Sequence, residues 1–162
     1  MVRMRSTLLG AAVLIGCSPV KQDTLSSSDT SFAALQERGR EAMGVDQYTS
    51  SHKFESLPDG GRIVLQRDSA DSAGTATIRA HMIEIASRFA TGDFTIPGTV
   101  HARDVPGTKV MAERAAQIRY RADTLPRGGE VRITATDSAA ISAIHEFLEF
   151  QRTDHRAAGH GH

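Results

Sequence analysis

Apolar and polar residues alternate strictly in two widely separated places. Ile118, Tyr120 and Ala122 alternate with Arg119, Arg121 and Asp123, and Val131, Ile133 and Ala135 alternate with Arg132 and Thr134. A period of two predicts half-buried strands. Between them lies Leu125-Pro126-Arg127-Gly128-Gly129, in which Pro presets the first turn position and the glycines suit positive φ, so the segment reads as a hairpin. Leu57-Pro58-Asp59-Gly60-Gly61 repeats it 68 residues earlier. Pairing Leu125 with Glu130 sets Ala122 opposite Ile133 and Tyr120 opposite Ala135. The first copy then sets Phe54 opposite Leu65 and Ser56 opposite Ile63.

Each hairpin leads into a stretch of helical period. Ile78, Met82, Ile85 and Phe89 share one face, and Ile141, Ile144, Leu148 and Gln151 share another, with Phe147 beside them. Asp68, Asp71 and Asp137 stand where helix caps belong, with Ser138 the alternative to Asp137 for the second helix, and Gly92 stops the first helix. One ββα unit cannot bury its own apolar face. Two can, so the expected fold is α+β: two ββα repeats, about residues 49–92 and 116–155, forming a four-stranded antiparallel sheet with helices packed on one face. An additional N-terminal helix is expected from Phe32 and Leu35 to Gly44, capped by Thr30 or Ser31. Residues 93–107, broken by Pro-Gly steps, read as a loop, and a short helix follows near Thr108.

The first residues supply an address. Arg3 and Arg5 precede an apolar run, Leu8 to Ile15, closed by Gly16 and by Cys17, the only cysteine. The run is too short to span a bilayer, which takes about 20 apolar residues, and it reads as a signal peptide over residues 1–16. Leu14-Ile15-Gly16-Cys17 resembles the lipobox of bacterial lipoproteins. The resemblance implies cleavage before Cys17, diacylation of its sulfur and anchoring in the cell envelope. With Ser18 in place of Asp, it implies the outer membrane, facing the periplasm, in a Gram-negative host. Residues 17–30 then form a polar, lipidated tether, residues 31–157 one α+β domain, and residues 158–162 a disordered tail.

A second resemblance rests on Leu125-Pro126-x-Gly128-Gly129, on Ile144-His145-Glu146-Phe147-Leu148-x-Phe150-Gln151 and on Asp154-His155-Arg156. These strings resemble small exported bacterial proteins of unknown function, some labelled aspartate carbamoyltransferase. True carbamoyltransferases are similar to much larger two-domain enzymes with an S-x-R-T phosphate segment, which this chain lacks.

Charge narrows the partners. The chain has 19 basic and 19 acidic residues, and loss of the signal leaves 17 against 19, which offers no electrostatic basis for nucleic-acid binding. The expected partners are the membrane, through the lipid, and an envelope protein or small ligand. There is no G-x-S-x-G, no phosphate loop, and no CxxC or HxxxH spacing. Seven histidines carry what chemistry there is. His52 has the strand parity of Phe54. His81 and His145 occupy corresponding places on the two repeated helices, and His101 sits in the connection between them. Together, with a thioether from Met82 or Met111, His52, His81, His101 and His145 form a candidate copper or zinc site. His155, His160 and His162 read as a solvated tail, and Glu146, Glu149 and Asp154 as solvent-facing. The leading expectation is binding or accessory work in the envelope. The alternatives are a periplasmic copper- or zinc-binding protein and a small enzyme with a histidine base.

Overall fold

A computed structural model describes residues 26–44 and 46–157. The signal segment, Cys17, most of the tether and residues 158–162 with His160 and His162 lie outside the described residues. The body is the expected α+β arrangement. Strands β1 (Ser50–Leu57), β2 (Gly60–Arg67), β3 (Ile118–Leu125) and β4 (Gly128–Ala135) form one antiparallel sheet in the order β1-β2-β4-β3. Helices α2 (Ser72–Ala90) and α5 (Ser138–Asp154) cover its apolar face. Asp71 and Asp137 cap them, each carboxylate accepting from the backbone N–H three residues on, Gly74 and Ala140. The other face of the sheet is charged and laced by pairs such as Glu55–Arg62 at 2.6 Å and Arg121–Asp123 at 2.9 Å.

The hairpins are tighter than the sequence suggested. Leu57 pairs with Gly60 and Leu125 with Gly128, so only Pro58-Asp59 and Pro126-Arg127 lie between the strands. The register therefore moves by two residues: Phe54 faces Ile63, His52 faces Leu65, and Tyr120 faces Ile133. An even shift preserves the face of every side chain, so the apolar pattern survives. The turns also differ in detail. Gly60 has φ 138°, whereas in the second turn Arg127 takes the left-handed position at φ 59° and Gly128 does not.

At the seam between the repeats, β2 pairs with β4 so that Ile63 faces Val131, Gly60 faces Thr134 and Gln66 faces Gly128. Adding 68 to each β2 number gives back the same set of pairs, so a two-fold axis passes at Ile63–Val131. The glycines make the seam possible. A Cβ at Gly60 would overlap Ile133 O, and one at Gly128 would overlap Leu65 O. The helices cross over: α2 lies on β3 and β4, and α5 on β1 and β2. Met82 meets Gly129, and Leu148 meets Gly61. Arg79 donates to Leu125 O and Gly128 O at the second turn, and His145 bonds Leu57 O at the first, 2.9 Å away. Helix positions thus correspond at an offset of 66: Asp71 with Asp137, Arg79 with His145, Met82 with Leu148.

Two elements correct the expected boundaries. Helix α1 (Ser27–Met43) starts earlier than residue 31, because the Ser26 hydroxyl accepts the Asp29 N–H and Asp29 puts a carboxylate in the first turn. Residues 93–107 are not all loop, since they contain α3 (Thr95–His101). Asp93 accepts from both the N–H and the hydroxyl of Thr95, and Pro97 falls in the first turn, where its missing N–H costs nothing. Helix α4 (Thr108–Glu113) leads into β3.

Gly60→Ala and Gly128→Ala should each destabilise the domain by about 1–3 kcal/mol, through steric overlap at the seam. Gly98 lies inside α3, and a Cβ there meets nothing nearer than Arg103 O at 4.0 Å. Gly98→Ala should therefore stabilise by about 0.5–1 kcal/mol. Urea unfolding of the three variants checks both signs.

Candidate functional site

Beneath α1, at the end of the sheet where β1 meets the C-terminus of α5, lies a cavity of about 70 Å³. Its polar lining is His52, His81, His101, His155, Gln47 and Gln151, and the remaining walls are carbon and thioether, including Phe54, Met82 and Phe147, with Gly39 and Met43 from α1. Strand parity brings in His52, as the sequence indicated. His81 comes from the buried face of α2, and His101 from the last turn of α3. His155 follows α5 directly. It is no part of a solvated tail, because its ring lies 5.2 Å from that of His52 (19° between planes), 5.5 Å from Phe54 and 5.1 Å from His101.

His101 is fixed at both nitrogens. Nδ1 lies 2.5 Å from Asp154 Oδ2 and Nε2 lies 2.8 Å from Gln151 Oε1. Arg103 holds the other Asp154 oxygen at 2.8 Å. Asp154 therefore faces His101 rather than open solvent. This chain of contacts ties the end of α3 to the end of α5 and leaves His101 no ring nitrogen for another partner.

The other three rings are differently placed. The Nδ1 of His155 is buried and has no hydrogen-bond partner. No ring nitrogen of His52 is hydrogen-bonded among the described residues. Burial, helped by the neighbouring His81, depresses the His52 imidazole to about 4. Burial, reinforced by His52 and His101, depresses that of His155 to about 2. Burial lowers His81 as well, with Glu84 opposing it from 4.0 Å. At neutral pH these three are uncharged rings, able to donate one hydrogen bond and offer one lone pair.

His145 does not join them. Its helix partner by symmetry is Arg79, not His81, and its ring serves the first hairpin turn. The symmetry mate of His81 is Phe147. Two residues along a helix is a rotation of about 200°, so the apparent match of His81 with His145 puts them on different faces. Met111 is buried in the main core and does not line the cavity. Among the described residues, no three His, Cys, Asp or Glu side chains come together so as to hold a metal ion. The proposed set of His52, His81, His101 and His145 is thus not assembled as one cluster. His52, His81 and His101 share a cavity, and the fourth histidine there is His155.

The two-fold axis gives this cluster a counterpart. The mates of His52, His81 and His155 are Tyr120, Phe147 and Phe89. Those three rings pack together, with Phe89 5.8 Å from both Tyr120 and Phe147, and Phe89 and Phe147 also border the histidine-lined cavity. Positions related by the axis thus hold a hydrocarbon-rich trio in one set and imidazoles in the other. Packing alone is satisfied by Phe and Tyr, so it does not account for the nitrogens.

Protons discriminate the folded state from the unfolded one here. The unfolded rings titrate near 6.5 and the folded rings well below. Stability from the neutral rings is complete above about pH 7 and is lost as pH falls through 6.5 toward the folded values. Between pH 6 and 5 the loss from His52 and His155 should approach two protons, roughly 2–3 kcal/mol per pH unit, and the lowered His81 adds to it in the same direction. His155→Phe should flatten that slope. Urea titrations at stepped pH read it directly, and a stability independent of pH in this window contradicts the assignment.

Compared with models of protein families, with curated proteins and with solved structures, the chain matches none of them.

Proposed function

We propose that the chain is a lipid-anchored cell-envelope protein whose domain binds a small ligand in the histidine-lined cavity. The observation that carries the binding half is the cavity lining itself: His52, His81 and His155 enter it as uncharged rings among apolar walls, and the buried Nδ1 of His155 has no hydrogen-bond partner. Neutral imidazoles in apolar walls cost stability at every pH at which they want a proton. A ligand that pairs with those nitrogens would offset that cost. The lipobox residues Leu14 to Cys17 support the anchoring half, and among the described residues no helix is long and apolar enough to cross a membrane.

The chemistry of the lining favours holding over turning over. Among the described residues it offers no hydroxyl, thiol, amine or carboxylate to act as nucleophile. A histidine base needs a free nitrogen directed by a partner, and the one directed ring, His101, has both nitrogens taken.

Two measurements test the two halves separately. Wild-type cells fed a palmitate analogue should label the protein and sediment it with membranes, and Cys17→Ser should do neither. Lipidated protein extracted in mild detergent should carry a small molecule or metal near one per chain, released on denaturation, and His155→Phe should lose it. A protein that leaves the membrane with its cavity empty, or a ligand retained equally by His155→Phe, overturns the binding half.

A further inference from the structure

We propose that the turn Asp154-His155-Arg156 is a latch on the cavity, which acid releases by drawing out the His155 ring, and that its release frees the start of α1 and opens the cavity to solvent. This goes beyond the reading of the cavity as a ligand site and holds whatever the cavity contains.

Three consecutive residues grip three different parts of the fold. Asp154 takes His101 Nδ1, at the end of α3, on one oxygen and Arg103 on the other. His155 lays its ring against His52 and Phe54 of β1. Arg156 donates to Ser28 O and to Asp29, both at 3.1 Å, and its guanidinium stands 4.2 Å from the centre of the Phe32 ring, all within the first two turns of α1. The turn also separates two spaces. His155 lines the inner cavity, Asp154 and Arg156 line an outer groove of about 530 Å³ beside α1, and His101 borders both.

Two features favour release. The Ala157 N–H donates to Arg152 O at 2.9 Å, which closes α5 through a left-handed residue at 156, a position that favours glycine. Arg156 occupies it at φ 51°, a strain that its grip on α1 offsets. The buried Nδ1 of His155 has no partner, and water would satisfy it outside.

Charge sets the direction of the response. His52 faces the His155 ring from β1 and His101 from α3. His81 of α2, with Glu84 4.0 Å from it, acts on His52 in turn. Helix α1 contributes only Gly39 and Met43 to the cavity, and no carboxylate lines it among the described residues. A proton on the seated His155 therefore has no counter-ion there, and burial holds the ring to about 2. Released, it titrates near 6.5. Release therefore becomes more favourable as pH falls below 6.5, by about 30-fold between pH 7.5 and 5.0 for this one proton.

Native-state hydrogen exchange of the full chain, corrected for the intrinsic pH dependence, reads the opening of α1 apart from that of the strands. Amides of α1 should be less protected than those of β2 and β4 at both pH values, and their protection should fall about 30-fold from pH 7.5 to 5.0. His155→Phe should abolish that fall, while β2 and β4 keep the part of theirs that His52 and His81 carry. His155→Leu, equally unable to take a proton, should do the same. Arg156→Ala should lower α1 protection already at pH 7.5 and shrink the ratio, because the helix is then uncoupled from the turn. Protection of α1 that is independent of pH, that falls only in step with the strands, or that still falls in both His155 variants overturns the latch. None of these readouts measures what the cavity holds, so failure here leaves the ligand reading standing.

Discussion

The close approach of β2 to β4 is the constraint from which the domain is built. Each ββα unit leaves an apolar sheet face too broad for its own helix, and the crossing of α2 and α5 solves this only if the two hairpins lie edge to edge. Gly60 and Gly128 allow that, because any side chain at either would run into the backbone of the opposite repeat. Gly61 and Gly129 then let Leu148 and Met82 settle onto the strands. Four glycines in two L-P-x-G-G strings therefore set both the sheet and the height of the helices above it.

Symmetry at the seam makes the difference in side chains legible. Phe89, Tyr120 and Phe147 pack on one another, with Phe94 stacked 4.4 Å from Phe89. The positions related to them hold His155, His52 and His81, which with Phe89 and Phe147 border one small chamber, where a fourth imidazole is held by Asp154 and Gln151.

Much of this was readable from the chain. Alternation in 118–135 and the repeated turn gave the strands, the repeat and the side on which helices lie. The hairpin register slipped by two, because L-P-x-G-G accommodates a two-residue loop as readily as a four-residue one, and alternation is blind to an even shift. The site was half legible. His52 followed from parity, and His81 and His101 reached the same cavity. The error was to align His81 with His145. Strands repeat at 68 residues but helices at 66, and the shared caps Asp71 and Asp137 carry that offset in plain view. Applied to Phe89, it lands on His155 and marks that residue as a core position instead of the start of a tail. Nothing in a single sequence signalled that Asp154 would turn inward, since its partner His101 is more than 50 residues away and rests on a helix concealed by Pro and Gly.

Helix α1 forms one wall of the cavity, through Gly39 and Met43, and it buries only Leu35 among its large apolar side chains. Arg38 holds it against α3 by donating to Val100 O, and Arg156, just past α5, donates to Asp29. Helix α1 precedes every strand in the chain, so a load entering the described domain at Ser26 reaches α1 first. Because α1 supplies Gly39 and Met43 to the chamber, displacing it would open the cavity.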